Sequence, residues 1–255
     1  FPQGTNVVIV RPGGVLRQPR VFGSDYSIGT TGDVVAVSVE AVSAFRITNG
    51  TLTVSGLAFE NFKGVGLLLA EGTNAALSVV DTTFRNVEGV TNHSGAVAAL
   101  AGASLRVDGG LFDGCQATGK FAANRNPVKS YGGAITVRGG GSVELIATNA
   151  PLTIVNCEAS TAGGGVYVEG VTNHACVVSV AGALTVRDNV CRATGVALAN
   201  DMYLCDSNVL LTCVGDLTAG PRTIGLTQFR KKGGEALVKG DVFAQFDAES
   251  LSASV

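Results

Sequence analysis

The sequence predicts an all-β protein built of stacked, near-identical units, and three observations carry that prediction. The first is a phrase of fixed internal spacing: Leu52-x-Val54-x4-Phe59 returns as Leu77-x-Val79-x4-Phe84 and Leu105-x-Val107-x4-Phe112. Further copies are expected at Leu152-x-Ile154-x4-Ala159 and Leu184-x-Val186-x4-Cys191. Recurrence every few dozen residues marks a repeat architecture rather than one globular core. The second is a glycine-led apolar strand after each phrase, at 66–69, 95–98, 133–137, 165–168 and 195–198. The third is a column four residues after each leading Leu, filled by Gly56, Asp81, Gly109, Asn156 and Asp188. These residue types tolerate positive φ, so one left-handed bend is expected at the same corner of every unit.

The phrase starts lie 25, 28, 47 and 32 residues apart. Strictly periodic helical repeats do not drift in this way. Strands of fixed length joined by turns of variable length do, and the expected fold is a right-handed parallel β-helix, a single-stranded solenoid of pectin-lyase-like architecture. Leu and Val of each phrase then face the interior. Phe59, Phe84 and Phe112 form an internal stack that Ala159 and Cys191 continue. Longer units add a third strand at 143–147 and 177–180. The solenoid is expected over residues 1–214, with 1–50, including the alternating Val34–Val39, as first coils or cap. Residues 215–255, with Val242-Phe243-x-x-Phe246, form a second cap or begin a following module, and residues 120–131 form a polar protruding loop.

Composition narrows the function classes. An apolar share of 46% with 15% charged residues is the inverse of a disordered chain, and 35 Gly argue against a helical one. Net charge is −2 at pH 7, which leaves no electrostatic footprint for nucleic acid; Arg230-Lys231-Lys232 reads as a solvated loop. No apolar run reaches the roughly 18 residues of a membrane helix. Because the chain opens on Phe1, it is expected to be a processed or excised piece. The cysteines are Cys115, Cys157, Cys176, Cys191, Cys205 and Cys213, without a CxxC pair and with only 2 His. That pattern predicts disulfides in an oxidising compartment and no zinc or other cofactor. Sequons at Asn49-Gly50-Thr51 and Asn92-His93-Ser94 agree with secretion. Same-position cysteines in adjacent coils, about 4.8 Å apart, could bridge. Aligning Phe112-x-Gly114-Cys115 with Ile154-x-Asn156-Cys157 puts Cys115 over Cys157; the gapless register does not. Cys205 and Cys213 bracket a short segment and form a second candidate pair.

An enzyme on this fold would need clustered acids on one outward face. Asp108 and Asp113 are the nearest pair, with Asp81 one coil away, but they hold different positions in the phrase. Asp81 and Asp188 read as turn residues, because Gly takes the same place in other coils. The two histidines sit in identical hexapeptides, Glu88-Gly-Val-Thr-Asn-His93 and Glu169-Gly-Val-Thr-Asn-His174, read as duplicated polar turns. Gly139–Gly141 and Gly163–Gly165 are turns, not phosphate loops, since no helix or Lys-Ser/Thr follows. No catalytic residue is assigned.

Tyr131-Gly132-Gly133-Ala134-Ile135, preceded by Phe121-Ala-Ala-Asn124, resembles the paired GGA(I/L/V) and FxxN motifs of chlamydial-type polymorphic outer membrane proteins. Gly163-Gly164-Gly165-Val166 and Val186-x-x-Asn189 are imperfect copies, while Phe59-x-Asn61 and Phe84-x-Asn86 are shorter by one residue. The resemblance covers roughly residues 50–206 and implies an extracellular, non-enzymatic passenger used for surface display or adhesion. The expected function is therefore a scaffold or adhesion module of a cell-surface protein or appendage. Its partners would be other protein subunits or cell-surface ligands, met through loops 120–131 and 169–174. A polysaccharide-binding or polysaccharide-cleaving β-helix and a spacer subunit of a larger complex are the alternatives.

Overall fold

The computed structural model describes residues 7–17, 45–64, 66–90, 94–119, 129–171, 174, 176–192, 197–205, 209–215, 217, 223–228 and 242–247. Its strands carry alternating burial, as in Gly50–Glu60 and Ala75–Arg85, because successive side chains leave opposite faces. No helix occurs among the described residues. The protein is all-β, and its strands pair mainly in parallel.

Three rows organise the pairing. A long row runs Val7–Arg17, Gly50–Glu60, Ala75–Arg85, Ser104–Asp113, Ser142–Val155 and Cys176–Arg187. A short row runs Phe45–Ile47, Leu68–Glu71, Val97–Leu100, Ile135–Arg138, Val166–Glu169 and Met202–Leu204. The two meet through Thr223–Gln228, giving one 15-stranded sheet. A narrow row of two-residue strands forms a second sheet: Lys63–Gly64, Glu88–Gly89, Gln116–Ala117, Glu158–Ala159 and Val190–Cys191. The chain visits long, narrow and short rows in turn. At each visit it pairs in parallel with the strand from the previous circuit. The apolar interior lies between the long and short rows, with Leu52, Val54, Leu77 and Val79 on one side and Leu68, Ala70, Val97 and Ala99 on the other.

Register corrects the reading of the repeat. Leu52, Leu77 and Leu105 continue into Val143 and Val178, not into Leu152 and Leu184. Leu152 instead pairs with Gly110, in the second half of the long strand. The cause is that the leading Leu is replaced by Val143 and Val178 in these circuits, while Leu-x-Ile/Val recurs in the second strand half, after a bulge between Ala147 and Leu152. The expected third strands of the longer units are therefore the true counterparts of the Leu-x-Val phrase. Phe59, Phe84 and Phe112 are fully buried, with ring centroids 5.3 and 4.5 Å apart and planes within 15°. Ile154 and Val186 continue that column. Ala159 and Cys191 do not; they sit in the narrow row over Gly64, Gly89 and Ala117.

The left-handed column also divides in two. All five of its residues have positive φ, from 43° at Asp81 to 71° at Gly109. Gly56, Asp81 and Gly109 bend the middle of the long strands, and Gly182 joins them. Asn156 and Asp188 belong to the next corner, between long and narrow rows, with Asn61, Asn86 and Gly114. That corner is left-handed in five circuits, and its Asn side chains link circuits: Asn86 Nδ2 donates to Asn61 Oδ1 at 3.3 Å.

Glycine is required where the short row approaches the narrow one. A Cβ on Gly133 would overlap the Gly164 carbonyl oxygen and crowd the backbone of Glu158. No side chain fits there, so the glycine-led motif records a backbone-on-backbone contact. The expected ladder member at 195–198 is replaced, since Met202–Leu204 takes that place in the short row. Leu198–Ala199 instead pairs antiparallel with Val190–Cys191.

At the far end, Val242–Asp247 pairs antiparallel with Thr223–Gln228, and at the near end Val7–Arg17 pairs parallel with Gly50–Glu60. Residues 34–39 and 230–232 lie outside the described residues. Below the last circuit sits a buried polar network. Asn189 donates to the Ile154 carbonyl (3.0 Å) and accepts from the Cys157 N–H (2.9 Å). Asp201 Oδ1 accepts from the Asn189 N–H (2.8 Å) and amide (2.9 Å).

Replacing Phe84 by Ala, in the middle of the stack, is expected to cost about 3–5 kcal/mol in urea denaturation. An effect below about 1 kcal/mol would mean that the stack does not hold the circuits together. Burial pushes the Asp201 carboxyl above the usual carboxylate range, with Asp188 adding to this and Asn189 and Arg187 opposing it. The folded chain then binds this proton more tightly than the unfolded chain. Its contribution is present below the ordinary value, near about 4, and is lost as pH rises through the raised folded value. The Asp201→Asn variant should abolish that slope in urea midpoints measured between neutral pH and about pH 4. An unchanged slope would rule Asp201 out as its source.

Candidate functional site

The outer face of the short row differs from the other outer faces. In Ile135–Arg138, Val166–Glu169 and Met202–Leu204, alternate residues Ile135, Val137, Val166, Val168, Met202 and Leu204 enter the core. Thr136, Tyr167 and Tyr203 therefore project outward, in register with one another and with Leu69 and Ala98 of earlier circuits. All five are buried. Arg138 and Glu169 form the adjacent outward column.

Tyr131, at the end of the 120–131 segment, lies over this face. Its ring centroid is 4.4 Å from that of Tyr167, which lies 5.8 Å from Tyr203 at an interplanar angle of 7°. The Thr136 hydroxyl donates to the Tyr131 carbonyl at 2.7 Å, fixing the backbone that carries the ring. Arg138 places its guanidinium carbon 5.2 Å from the Tyr131 centroid, and its Nε donates to Glu169 at 2.5 Å. A cation over an aromatic face is attractive, by about 0.5–1 kcal/mol at partly exposed sites.

Electrostatics keep the face neutral and fixed. Burial pushes the Tyr203 phenol up to about 12. The same cause raises Tyr167 further, reinforced by its hydrogen bond to Cys205 and by Glu169. Burial raises Tyr131 too, against the opposing charge of Arg138. Burial alone would weaken the Arg138 cation, but the hydrogen bond and charge of Glu169 outweigh it and hold the guanidinium protonated. The result is two buried neutral phenols, Tyr167 and Tyr203, under a half-buried Tyr131 and a locked Arg138–Glu169 ion pair.

The acids singled out from the sequence lie apart in the register. Asp81 is exposed at the mid-strand corner, and Asp188 is at the next corner beside Arg187. Asp113 accepts from Asn156 Nδ2 at 2.9 Å. Asp108 accepts from the Thr148 N–H (2.9 Å), the Thr148 hydroxyl (3.0 Å) and Arg106 (3.0 Å). Burial alone would raise the Asp108 carboxyl, but these bonds outweigh it and hold it below the usual range. Asp108 thus anchors the Thr148–Pro151 insertion.

None of the six cysteines is joined in a disulfide. Cys115 and Cys157 occupy one inward column, while Cys205 ends the short row and Cys213 pairs with Val180 in the long row. The bracketing pair is thus split between rows. Asn49 is half-buried just before Gly50–Glu60, and Asn92 and His93 lie outside the described residues, as do residues 121–128. His174 is exposed and bridges backbone to backbone with Val171. No group of three or more His, Cys, Asp or Glu is arranged to hold a metal among the described residues.

Sequence reasoning missed the tyrosine ladder and the Asn189–Asp201 network. The ladder had a faint signal: Thr136, Tyr167 and Tyr203 each occupy the second position of a short strand. No protein-family model matches the chain, and no curated protein or solved structure matches it.

Truncating Tyr167 to Ala removes the middle ring and is expected to cost about 3 kcal/mol. Tyr131→Ala, at the half-buried end, should cost about 1 kcal/mol. Equal losses in urea titrations would contradict a ladder centred on Tyr167.

Proposed function

We propose that this chain is a right-handed parallel β-helix serving as a non-catalytic extracellular scaffold, a display or adhesion module of a cell-surface protein or assembled appendage. The observation that carries this reading is the pairing of each strand with its counterpart one circuit on, in three rows around one apolar interior. Such a ladder makes a stiff support whose outer columns and loops meet the partner. The chlamydial-type resemblance supports the same assignment, because its glycine-led motif falls at the tight approach around Gly133. The contact surface is half-buried Tyr131 with Arg138 and Glu169, held in place by the buried Tyr167 and Tyr203 beneath it. The two segments expected to make contacts, 120–131 and 169–174, contribute Tyr131 and Glu169 to it.

Aromatic side chains and Arg are the residue types that concentrate binding energy in protein interfaces. The partner is therefore a protein subunit or cell-surface ligand bearing hydrogen-bonding groups. The purified chain should bind intact cells or a surface-protein array, and the double variant Tyr131→Ala/Arg138→Ala should lose at least about tenfold in affinity. Unchanged binding by that variant would displace the site. Release of reducing ends or unsaturated sugars from a polysaccharide panel would overturn the non-catalytic reading.

A further inference from the structure

The inward column at the long-to-narrow corner runs Phe62, Val87, Cys115, Cys157 and Asn189. Backbone bonds fix the register: Glu88 N donates to Phe62 O, Gln116 N to Val87 O, Glu158 N to Cys115 O and Val190 N to Cys157 O, at 2.7–2.9 Å. Cys115 and Cys157 are therefore stacked neighbours, although 42 residues separate them in sequence (157 − 115). Parallel neighbours stand about 4.8 Å apart, inside the Cα window of about 4.4–6.8 Å that a disulfide spans. Both thiols are fully buried. Each Sγ is held by backbone carbonyls, Cys115 by Phe84 O at 3.8 Å and Cys157 by Val155 O at 3.1 Å. Burial and the neighbouring Cys157 push the Cys115 thiol well up, so in the folded chain it is an unreactive thiol.

We propose that Cys115 and Cys157 are a redox staple, closing as a disulfide between adjacent circuits when the chain folds under oxidising conditions. Closure forms one S–S bond between the two cysteines and breaks the S–S bond of a small-molecule or protein disulfide, which takes up the two electrons and both thiol protons and leaves as two thiols. Because neither sulfur is exposed, the exchange takes place during folding. Once formed, the bond is shielded from reductant, and the reduced folded chain is equally shielded from oxidant. The loop enclosed contains the 120–131 segment, so the staple pins both ends of the circuit that presents Tyr131. This inference does not rest on the adhesion reading.

The full chain is refolded in a buffer of oxidised and reduced glutathione, quenched in acid, alkylated and cut with trypsin and a Glu-specific protease. The two cuts place Cys115 and Cys157 in separate peptides, and Cys157 apart from Cys176. The expected product joins the Cys115 peptide to the Cys157 peptide. The oxidised protein should melt roughly 5–10 °C above the reduced form. The Cys115→Val variant should lose both the joined peptide and the redox dependence of melting. Recovery of Cys115 and Cys157 as separate alkylated peptides would overturn the proposal, as would a redox-dependent melting shift that survives in Cys115→Val.

Discussion

The parallel backbone ladder, which holds each residue directly over its counterpart one circuit away, is the constraint on which the rest of the structure depends. At a spacing of about 4.8 Å, like side chains meet like, and only some types gain from that. Aromatic rings stack, as Phe59, Phe84 and Phe112 do inside and Tyr167 and Tyr203 outside. Amides can donate and accept at once, so Asn86 links to Asn61. Like charges would repel, and the outer columns alternate accordingly: Lys63 with Glu88, Glu60 with Arg85, Arg106 with Glu144, Arg138 with Glu169. Individually these exposed pairs are worth about 0–1 kcal/mol. Their importance is that the opposite arrangement is avoided.

The same constraint explains how much of the fold was legible. Leu52, Val54 and Phe59 announced the ladder because their counterparts in the next two circuits are the same residues at the same spacing. The column failed where geometry and spacing part company. Four extra residues between Ile146 and Leu152, five against the one between Asp108 and Gly110, were absorbed as a bulge, and a Leu-x-Ile in the second strand half stood where the phrase was expected. The left-handed column was legible in residue type but not in place. Asp, Asn and Gly serve two successive corners equally well, and residue type alone does not say which.

Motif and chemistry separate in the same way. The Asn of the shortened Phe-x-Asn copies stands at a left-handed corner, as Asn61 and Asn86 do. The Asn of Val186-x-x-Asn189 lies one position on, in the inward column, where its amide satisfies backbone groups of the preceding circuit. A one-residue difference in spacing thus exchanges a solvent-side turn for a buried bridge. The tyrosine ladder had no comparable signal, because its rings come from short strands whose equivalence is set by register and whose first member, Tyr131, comes from outside the strands altogether.

Specialisation is confined to the positions that the ladder leaves open. Inward columns must be apolar or internally satisfied, corners must accept positive φ, and the glycine approach excludes any side chain. Outward columns of the long and narrow rows are filled mainly by polar or charged residues such as Thr53, Ser78, Arg106 and Glu144, which satisfy the ladder with little specificity. The short row breaks that pattern: its outward column opens on exposed Arg46, but Leu69, Ala98, Thr136, Tyr167 and Tyr203 that follow are all buried. An outward face that excludes water from Leu69 to Tyr203, beside a fixed Arg138–Glu169 pair, contributes more order than the backbone ladder requires. That surplus of order on one face, against adequacy everywhere else, fixes Tyr131 and the Arg138–Glu169 pair at the rim of a buried tyrosine ladder.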